Sequence, residues 1–239
     1  MFPKGTVYHF KKRGTHGEAY LHANLREKIA YSLARGLGAG LVGFVIIAIL
    51  FTFAPLVKDE VSYNLGLDKI TLNLSNTDKA DAQNTSKVQE EAASLGVNSY
   101  FSIVIPKIGA KANIVANVDP TNEVEYDKAL QEGVAQAKGT YFPGQGKNIF
   151  LFAHSTNSPL NVAKYNAVFY LLDKMSAGDQ IVIYFADKRY VYKVTETKIV
   201  GPTDSSFIND NSNGETLILQ TCYPPGTSWN RLLVLAKPV

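Results

Sequence analysis

A single uncharged, apolar run near the N-terminus is the feature that most constrains this chain. Charged residues stop at Arg35 and resume at Lys58, and the 22 residues between them are mostly apolar. As a helix rising 1.5 Å per residue, residues 36–57 would be about 33 Å long, enough to cross a hydrocarbon core of about 30 Å. Few soluble helices of this length lack a polar face, so the run predicts a transmembrane helix rather than a buried core helix.

The charges on either side of this run predict its orientation. Residues 1–35 hold seven Lys or Arg and two acids, whereas residues 58–239 hold 17 basic and 19 acidic side chains. The positive-inside rule places the basic tail in the cytoplasm, where it suits an anionic leaflet. The basic region is long and the apolar run exceeds the usual 7–15 residues, so an uncleaved signal-anchor is favoured over a cleaved signal peptide. We expect a single-pass protein of the cell membrane: a cytoplasmic tail (1–35), a transmembrane helix (36–57) and an extracellular remainder.

The outward-facing remainder divides into a spacer (58–98) and a β-rich domain (99–239). The spacer is polar, with a helix-compatible stretch that ends at Gly96 and too little apolar surface for a core of its own. In the domain, short runs rich in Val, Ile, Tyr and Phe recur between turn formers, at residues 100–106, 112–118, 148–154, 180–186, 188–196, 216–222 and 231–237. Helices are predicted at 122–134 and 162–175, and a hairpin at Asp187-Lys188. Seven or eight short strands with few helices predict a mostly β, closed barrel.

Composition excludes several classes of function. A net charge of +3 is too small to argue for a nucleic-acid partner, and a single Cys excludes an internal disulfide framework and any multi-Cys metal site. His9, His16 and His22 lie seven and six residues apart in the basic tail, which does not match a compact metal site. We therefore predict no metal and no cofactor.

The outward-facing domain carries one Cys, one His and only two Arg, so its candidate chemistry rests on few residues. Cys222 and His154 both end predicted strands, where a barrel can present side chains to a groove. A thiol reacts as the thiolate, and a pKa of about 8.5 leaves only a few per cent ionised at neutral pH, so a neighbouring imidazole that takes the proton would activate it. Arg231, at the start of the next strand, could donate to the oxyanion of an acyl-transfer reaction. Taken singly, a lone Cys is more often an inert buried residue and a lone His is more often structural.

Several segments taken together resemble the sortase family. The tetrapeptide LQTC, which ends at Cys222 and is followed by Arg231, is similar to the sortase signature of a Leu-x-Thr-Cys strand end with an Arg on the next strand. FLFAHS around His154 resembles the sortase histidine strand. The segments IVIPKIGAKANIVANV, GTYFPGQGKN and LLDKMSAGDQIVIYFADKRYVYKV are also similar. The resemblance covers 99–239 with His before Cys before Arg, and it departs from the family at Ile218, usually Thr, and at Ala153, usually Gly.

The resemblance implies an eight-stranded sortase-type barrel and a membrane-anchored cysteine transpeptidase, a thiol protease in its first half-reaction. Cys222 would be the nucleophile, His154 the general acid and base, and Arg231 the oxyanion donor. Substrate-binding roles would fall to Ser155, Leu219 and Thr221. Such an enzyme cuts an LPxTG-like sorting motif between Thr and Gly and passes the thioacyl group to an amine, from a peptidoglycan cross-bridge (lipid II) or a pilin Lys.

Two accessory features of some sortases are not expected here. Residues 133–172 contain no Asp or Glu, so the calcium site that some members build near the histidine strand is predicted to be absent. Asp119-Pro120-Thr121 lacks the aromatic residue of the Asp-Pro-aromatic lid, so no such lid is predicted.

Two alternatives compete with the transpeptidase hypothesis. One is a non-catalytic extracytoplasmic binding domain that has kept a sortase-like barrel. The other is a different cysteine enzyme, but papain-like chains place Cys before His, and the Ser-His-Gly-Cys type of motif found in L,D-transpeptidases does not occur here. The order of the residues therefore favours the transpeptidase.

Overall fold

The computed structural model describes residues 6–7, 21–22, 25–66, 70, 82–155, 167–208 and 214–239. The chain forms two compact units, Met1–Phe53 and Ala54–Val239. His9, His16 and part of the spacer lie outside the described residues, so the four segment boundaries inferred from the sequence stay predictions.

The long helix α1 precedes a domain that consists mainly of β-strands. The helices are α1 (Leu25–Leu65), α2 (Ala82–Ser94) and α3 (Glu123–Glu132), with short 3₁₀ turns at Pro106–Ile108, Leu172–Lys174 and Ser206–Ile208. The strands are β1 (Thr6–Val7), β2 (Leu21–His22), β3 (Phe101–Ile105), β4 (Ala110–Val118), β5 (Val134–Ala137), β6 (Asn148–Phe152), β7 (Gln180–Phe185), β8 (Lys188–Val200), β9 (Thr216–Tyr223) and β10 (Asn230–Pro238).

Helix α1 contains the apolar run that the sequence analysis singled out. Ile29–Phe51 is 23 residues long, has a mean hydropathy of 2.2 and contains no buried stretch among the described residues. It is the one helix among the described residues that is long and apolar enough to cross a membrane, and it fits a signal-anchor. The helix begins before residue 36 and continues to Leu65, while its orientation in a membrane stays a prediction.

Strands β3 to β10 close into a barrel in the order β10-β8-β7-β3-β4-β5-β6-β9, which confirms the predicted fold class. The pairs β4–β5 and β6–β9 are parallel, and the other six pairs are antiparallel. Inward-facing side chains of every strand build the core, among them Ile103, Ile149, Leu151, Ile183, Leu217 and Leu219. Because closure pairs each of these eight strands on both sides, the barrel has no unpaired edge strand.

Strands β3 and β7 are buried on both faces, which explains their near-continuous apolar sequences. Ile103 and Ile183 point into the barrel, whereas Val104, Val182 and Tyr184 point outward into a second, smaller cluster. Helix α2 covers that cluster. The outer face of these two strands is therefore a docking surface for the helix.

Helix α2 is attached to the barrel by apolar contacts and by one polar clamp. Val88 and Ala92, four residues apart on one face, pack into the outer cluster. On the same side, Glu91 accepts a hydrogen bond from the Tyr184 hydroxyl at 2.8 Å and pairs with Arg189 at 3.4 Å. The segment expected to be a spacer therefore contains a helix that packs on the barrel.

Two local predictions need correction. The β7–β8 hairpin exists, but its two-residue turn is Ala186-Asp187, one residue earlier than expected, and both residues have positive φ, as type I′ turns require. The helix predicted at 162–175 lies outside the described residues up to 166. Its described part, 167–175, forms turns and one 3₁₀ turn, so the helix prediction is wrong there. The apolar residues that suggested a helix are instead buried in the barrel core from an irregular loop.

Replacing Glu91 with Ala should destabilise the fold by about 1–3 kcal/mol, because the buried Tyr184 hydroxyl would lose its acceptor. Glu90→Ala, at the exposed neighbouring position, should change the free energy of unfolding by less than about 0.5 kcal/mol. Chemical denaturation of the full chain in detergent micelles, followed by near-UV circular dichroism, measures both. Equal effects of the two substitutions would contradict the clamp.

Candidate active site

The strand register brings three distant residues to one level at one end of the barrel. In the parallel β6–β9 pair, Phe152 lies opposite Gln220, so two residues further along His154 is level with Cys222. In the antiparallel β9–β10 pair, Arg231 lies directly opposite Cys222. Residues opposite one another on neighbouring strands share a face of the sheet. The backbone alone therefore places the imidazole, the thiol and the guanidinium in one row.

Two hydrogen bonds fix the histidine strand against the cysteine strand. The Thr221 hydroxyl donates to the Ala153 carbonyl at 2.9 Å, and the Ala153 N–H donates to the Gln220 carbonyl at 3.2 Å. Thr221 is buried while the next residue, Cys222, is a half-buried free thiol, because successive side chains point to opposite faces. Thr221 thus holds the residue before His154 in place, and its predicted role in substrate binding stays a prediction.

His154 is almost buried, with 8% of its surface exposed. Burial lowers the pKa of its imidazole below the ordinary value of about 6.5, and the negative charge of Asp127 partly opposes that shift. The Phe169 N–H donates to the His154 carbonyl at 3.4 Å, and this hydrogen bond joins the segment 167–171 to the residues that follow β6. At neutral pH the imidazole is therefore mainly uncharged and able to accept a proton.

Arg231 is half-buried, and its guanidinium is held by the loop that precedes it. One terminal nitrogen, Nη1, donates to the carbonyls of Ser228 and Asn230, both at 3.2 Å. Both bonds use the same nitrogen, so the rest of the guanidinium fork can donate to an anion beside Cys222. This arrangement suits an oxyanion that forms on a carbonyl attacked by the thiol.

The two remaining residues predicted to bind substrate lie inside the protein. Leu219 has no exposed surface and packs in the barrel core, so the structure does not bring it to the groove. Ser155 is also fully buried, and its hydroxyl has no hydrogen-bond partner among the residues that the structure describes. Ser155 is adjacent to His154 in sequence, but its hydroxyl is not open to solvent.

Helix α3 contributes two residues that the sequence analysis missed. The Asn122 side chain caps its N-terminus by accepting from the Glu125 N–H at 3.3 Å. Tyr126 packs against the core, and burial raises the pKa of its phenol. Tyr126 also lies within electrostatic range of Arg231 and Cys222. The available signal in the sequence was the pair Tyr126-Asp127, which lies just before the buried Ala129 and Leu130 on this acidic helix.

Metal ligands do not gather anywhere in the part of the chain that the structure describes. No three His, Cys, Asp or Glu side chains come together there as a cation would need.

Comparisons with known proteins agree on the identity of this barrel. Residues 103–239 match the model of the sortase domain family. Sortase D of Bacillus subtilis (strain 168) is 30% identical over 138 residues, which are 56% of this chain and 61% of that protein, so the chain spans less than two thirds of its relative's length.

Solved structures show the same fold. Sortase C1 of GBS pilus island 1 superposes with a TM-score of 0.50 at 24% identity, covering 67% of this chain and 85% of the other. Group B Streptococcus pilus island 1 sortase C2 gives a TM-score of 0.50 at 23% identity, covering 67% and 99%. Because the family model matches more than half of the chain and includes the whole row His154, Cys222 and Arg231, this chain belongs to the sortase family.

Proposed function

We propose that this protein is a membrane-anchored cysteine transpeptidase that cleaves an LPxTG-like sorting motif and transfers the acyl part to an amine at the cell surface. The observation that carries the proposal is the strand register that sets His154, Cys222 and Arg231 level at one end of the barrel. The helix at the N-terminus supports attachment to the membrane. A cytoplasmic tail and an extracellular barrel complete the proposed topology.

In the first half-reaction the Cys222 sulfur attacks the carbonyl carbon of the scissile peptide bond. His154, mainly uncharged because of its burial, takes the thiol proton as the carbon–sulfur bond forms. The carbonyl oxygen becomes an oxyanion, which the Arg231 guanidinium stabilises. The carbon–nitrogen bond then breaks, and His154 returns the proton to the leaving amine, which leaves a thioester on Cys222.

In the second half-reaction an amine attacks the thioester carbonyl. His154 takes the proton that the amine loses, the oxyanion forms again beside Arg231, and the carbon–sulfur bond breaks to give a new amide. The proton returns to the thiolate, so the enzyme ends unchanged. An amine of a peptidoglycan cross-bridge (lipid II) or a pilin Lys serves as the acceptor, and water in its place gives hydrolysis.

The Cys222→Ala variant should lose at least about 10³-fold in cleavage of a sorting-motif peptide, because no other thiol in the chain can form the thioester. A peptide library with an added amine, analysed by mass spectrometry, reports the cleaved motif, the acyl-enzyme mass and the transfer product together. Cleavage by Cys222→Ala at the parental rate would disprove the mechanism. A Cys222 that resists thiol reagents in the folded chain, with no acyl adduct, would instead indicate a non-catalytic binding domain.

Arg231→Lys should lower kcat/KM by about 10²- to 10³-fold, because Lys keeps the charge but loses the fork that reaches both the loop carbonyls and the oxyanion. Arg189→Lys, on β8 and clamped to Glu91 rather than to the groove, is the matched control and should leave kcat/KM nearly unchanged. Steady-state kinetics with the cleaved peptide measures both. An Arg231→Lys rate within about twofold of the parent would remove Arg231 from the reaction.

Thr221→Val should slow cleavage by about tenfold, because the isosteric side chain cannot donate to the Ala153 carbonyl and leaves that buried acceptor unpaired. Thr221→Ser keeps the hydroxyl and should retain most of the activity. The loss should fall on kcat if the bond positions the imidazole. Equal activities of the Val and Ser variants would show that the hydroxyl is dispensable.

A further inference from the structure

The end of helix α3 lies beside the strand end that carries His154. In the antiparallel β5–β6 pair, Ala135 lies opposite Phe152, so the register continued by two residues brings Gly133 level with His154. Gly133 caps α3 by donating its N–H to the Ala129 carbonyl at 3.1 Å. The C-terminal end of α3 therefore lies next to the segment that carries His154.

This end of the helix is closely fixed against its neighbouring strand. A Cβ atom at Gly133 would lie 2.3 Å from the backbone oxygen of Asn113, so no side chain fits at this position. On the helix itself, Ala129 and Leu130 are buried in the barrel core. Helix α3 thus holds its side chains at defined places relative to the groove.

Asp127 is the one acidic residue on the inward side of α3. Glu123, Glu125 and Glu132 are exposed, whereas Asp127 is half-buried next to Tyr126. Among the described residues, Asp127 has no hydrogen bond and no ion pair. Its charge acts on the His154 imidazole, and the neighbouring Tyr126 phenol senses both Cys222 and Arg231. The carboxylate therefore acts on the His154 imidazole from α3, and no close cation in the described structure neutralises it.

We propose that Asp127 is a positioning residue whose carboxylate stabilises the positive charge that His154 acquires when it takes the thiol proton. The proposal rests on the proposed transpeptidase function. Burial disfavours the imidazolium, and a fixed negative charge nearby offsets part of that cost. The proton moves only between Cys222, His154 and the leaving or attacking amine, and Asp127 takes no part in that transfer.

The other groups around His154 do not supply this charge. From β9 comes the Cys222 thiol, from β10 the Arg231 guanidinium, and from α3 the Tyr126 phenol beside Asp127. Residues 167–171, whose Phe169 N–H bonds to the His154 carbonyl, contribute Tyr170 and no charged side chain, and β5 and β6 contribute none. Asp127 is thus the one carboxylate that the described structure offers to the imidazole.

The experiment is an NMR titration of His154 in the full chain in detergent micelles. His154→Asn identifies its imidazole signal, because that signal alone disappears. In Asp127→Asn, which keeps the size and removes the charge, the pKa of His154 should fall by roughly half a unit. Asp127→Glu should restore it, and Glu132→Gln, an exposed acid of the same helix, should leave it unchanged.

A second readout separates positioning from structural support. The imidazole-dependent limb of the pH profile for alkylation of Cys222 by iodoacetamide should move in the same direction and by the same amount as the titration. A His154 pKa in Asp127→Asn within about 0.1 unit of the parent, or an equal shift in Glu132→Gln, would overturn the proposal. Neither measurement requires peptide turnover, so failure here is distinguishable from failure of the Cys222→Ala test.

Discussion

The site depends on the register of three adjacent strands, β6, β9 and β10. A slip of one residue would turn every side chain of a strand to the opposite face and take Cys222 out of the row. Buried apolar side chains hold the strands in that register. Leu219 lies between Leu151 and Val234 in the two pairings, and all three side chains are fully buried. Leu219 therefore serves the site from within the core, three residues before the thiol.

Barrel closure turns this local lock into a property of the whole domain. Because each strand is paired on both sides, shifting β9 would break its ladders with both β6 and β10 and would expose the Leu219 layer. Thr221 adds a side-chain bond at the point where the β6 ladder ends, one residue before His154. The relative positions of His154, Cys222 and Arg231 thus depend on the apolar packing of the Leu219 layer in the barrel core.

Charge in the groove is a balance between burial and two fixed ions. Burial keeps His154 mainly uncharged, which under the proposed function is the form that accepts the thiol proton, but the same burial penalises the imidazolium that would result. The Arg231 guanidinium favours negative charge on oxygen and sulfur, and the proposed role of Asp127 is to favour positive charge on the imidazole. Placing the two ions on different elements, β10 and α3, lets each act on its own partner without forming an ion pair with the other.

The sequence predicted what local pattern encodes and missed what depends on packing between distant segments. The positions of His154 and Cys222 near strand ends could be read from apolar runs that stop at turn formers, although β6 ends two residues earlier than predicted, at Phe152, and β9 one residue later, at Tyr223. The barrel followed from the number of such runs. The docking of α2 could not, because its apolar face is short and finds its partner only on the outer side of β3 and β7. Asp127 was missed for the same reason: its half-buried position depends on the packing of α3 against β4 and β5.

The site separates reacting groups from the segments that follow them. Cys222 and Arg231 each lie one residue inside a strand, and His154 follows the end of β6 by two residues. Side chains carried on strands are held more accurately than those on loops. The segment between Cys222 and Arg231 contains Trp229, which is 71% exposed although it is the one Trp in the chain. The strand ladders fix the backbone positions of Cys222 and Arg231, whereas the loop carbonyls of Ser228 and Asn230 hold the Arg231 guanidinium. Under the proposed function, substitutions at an exposed loop position such as Trp229 can alter substrate choice, but changes that move those two carbonyls also move the oxyanion donor.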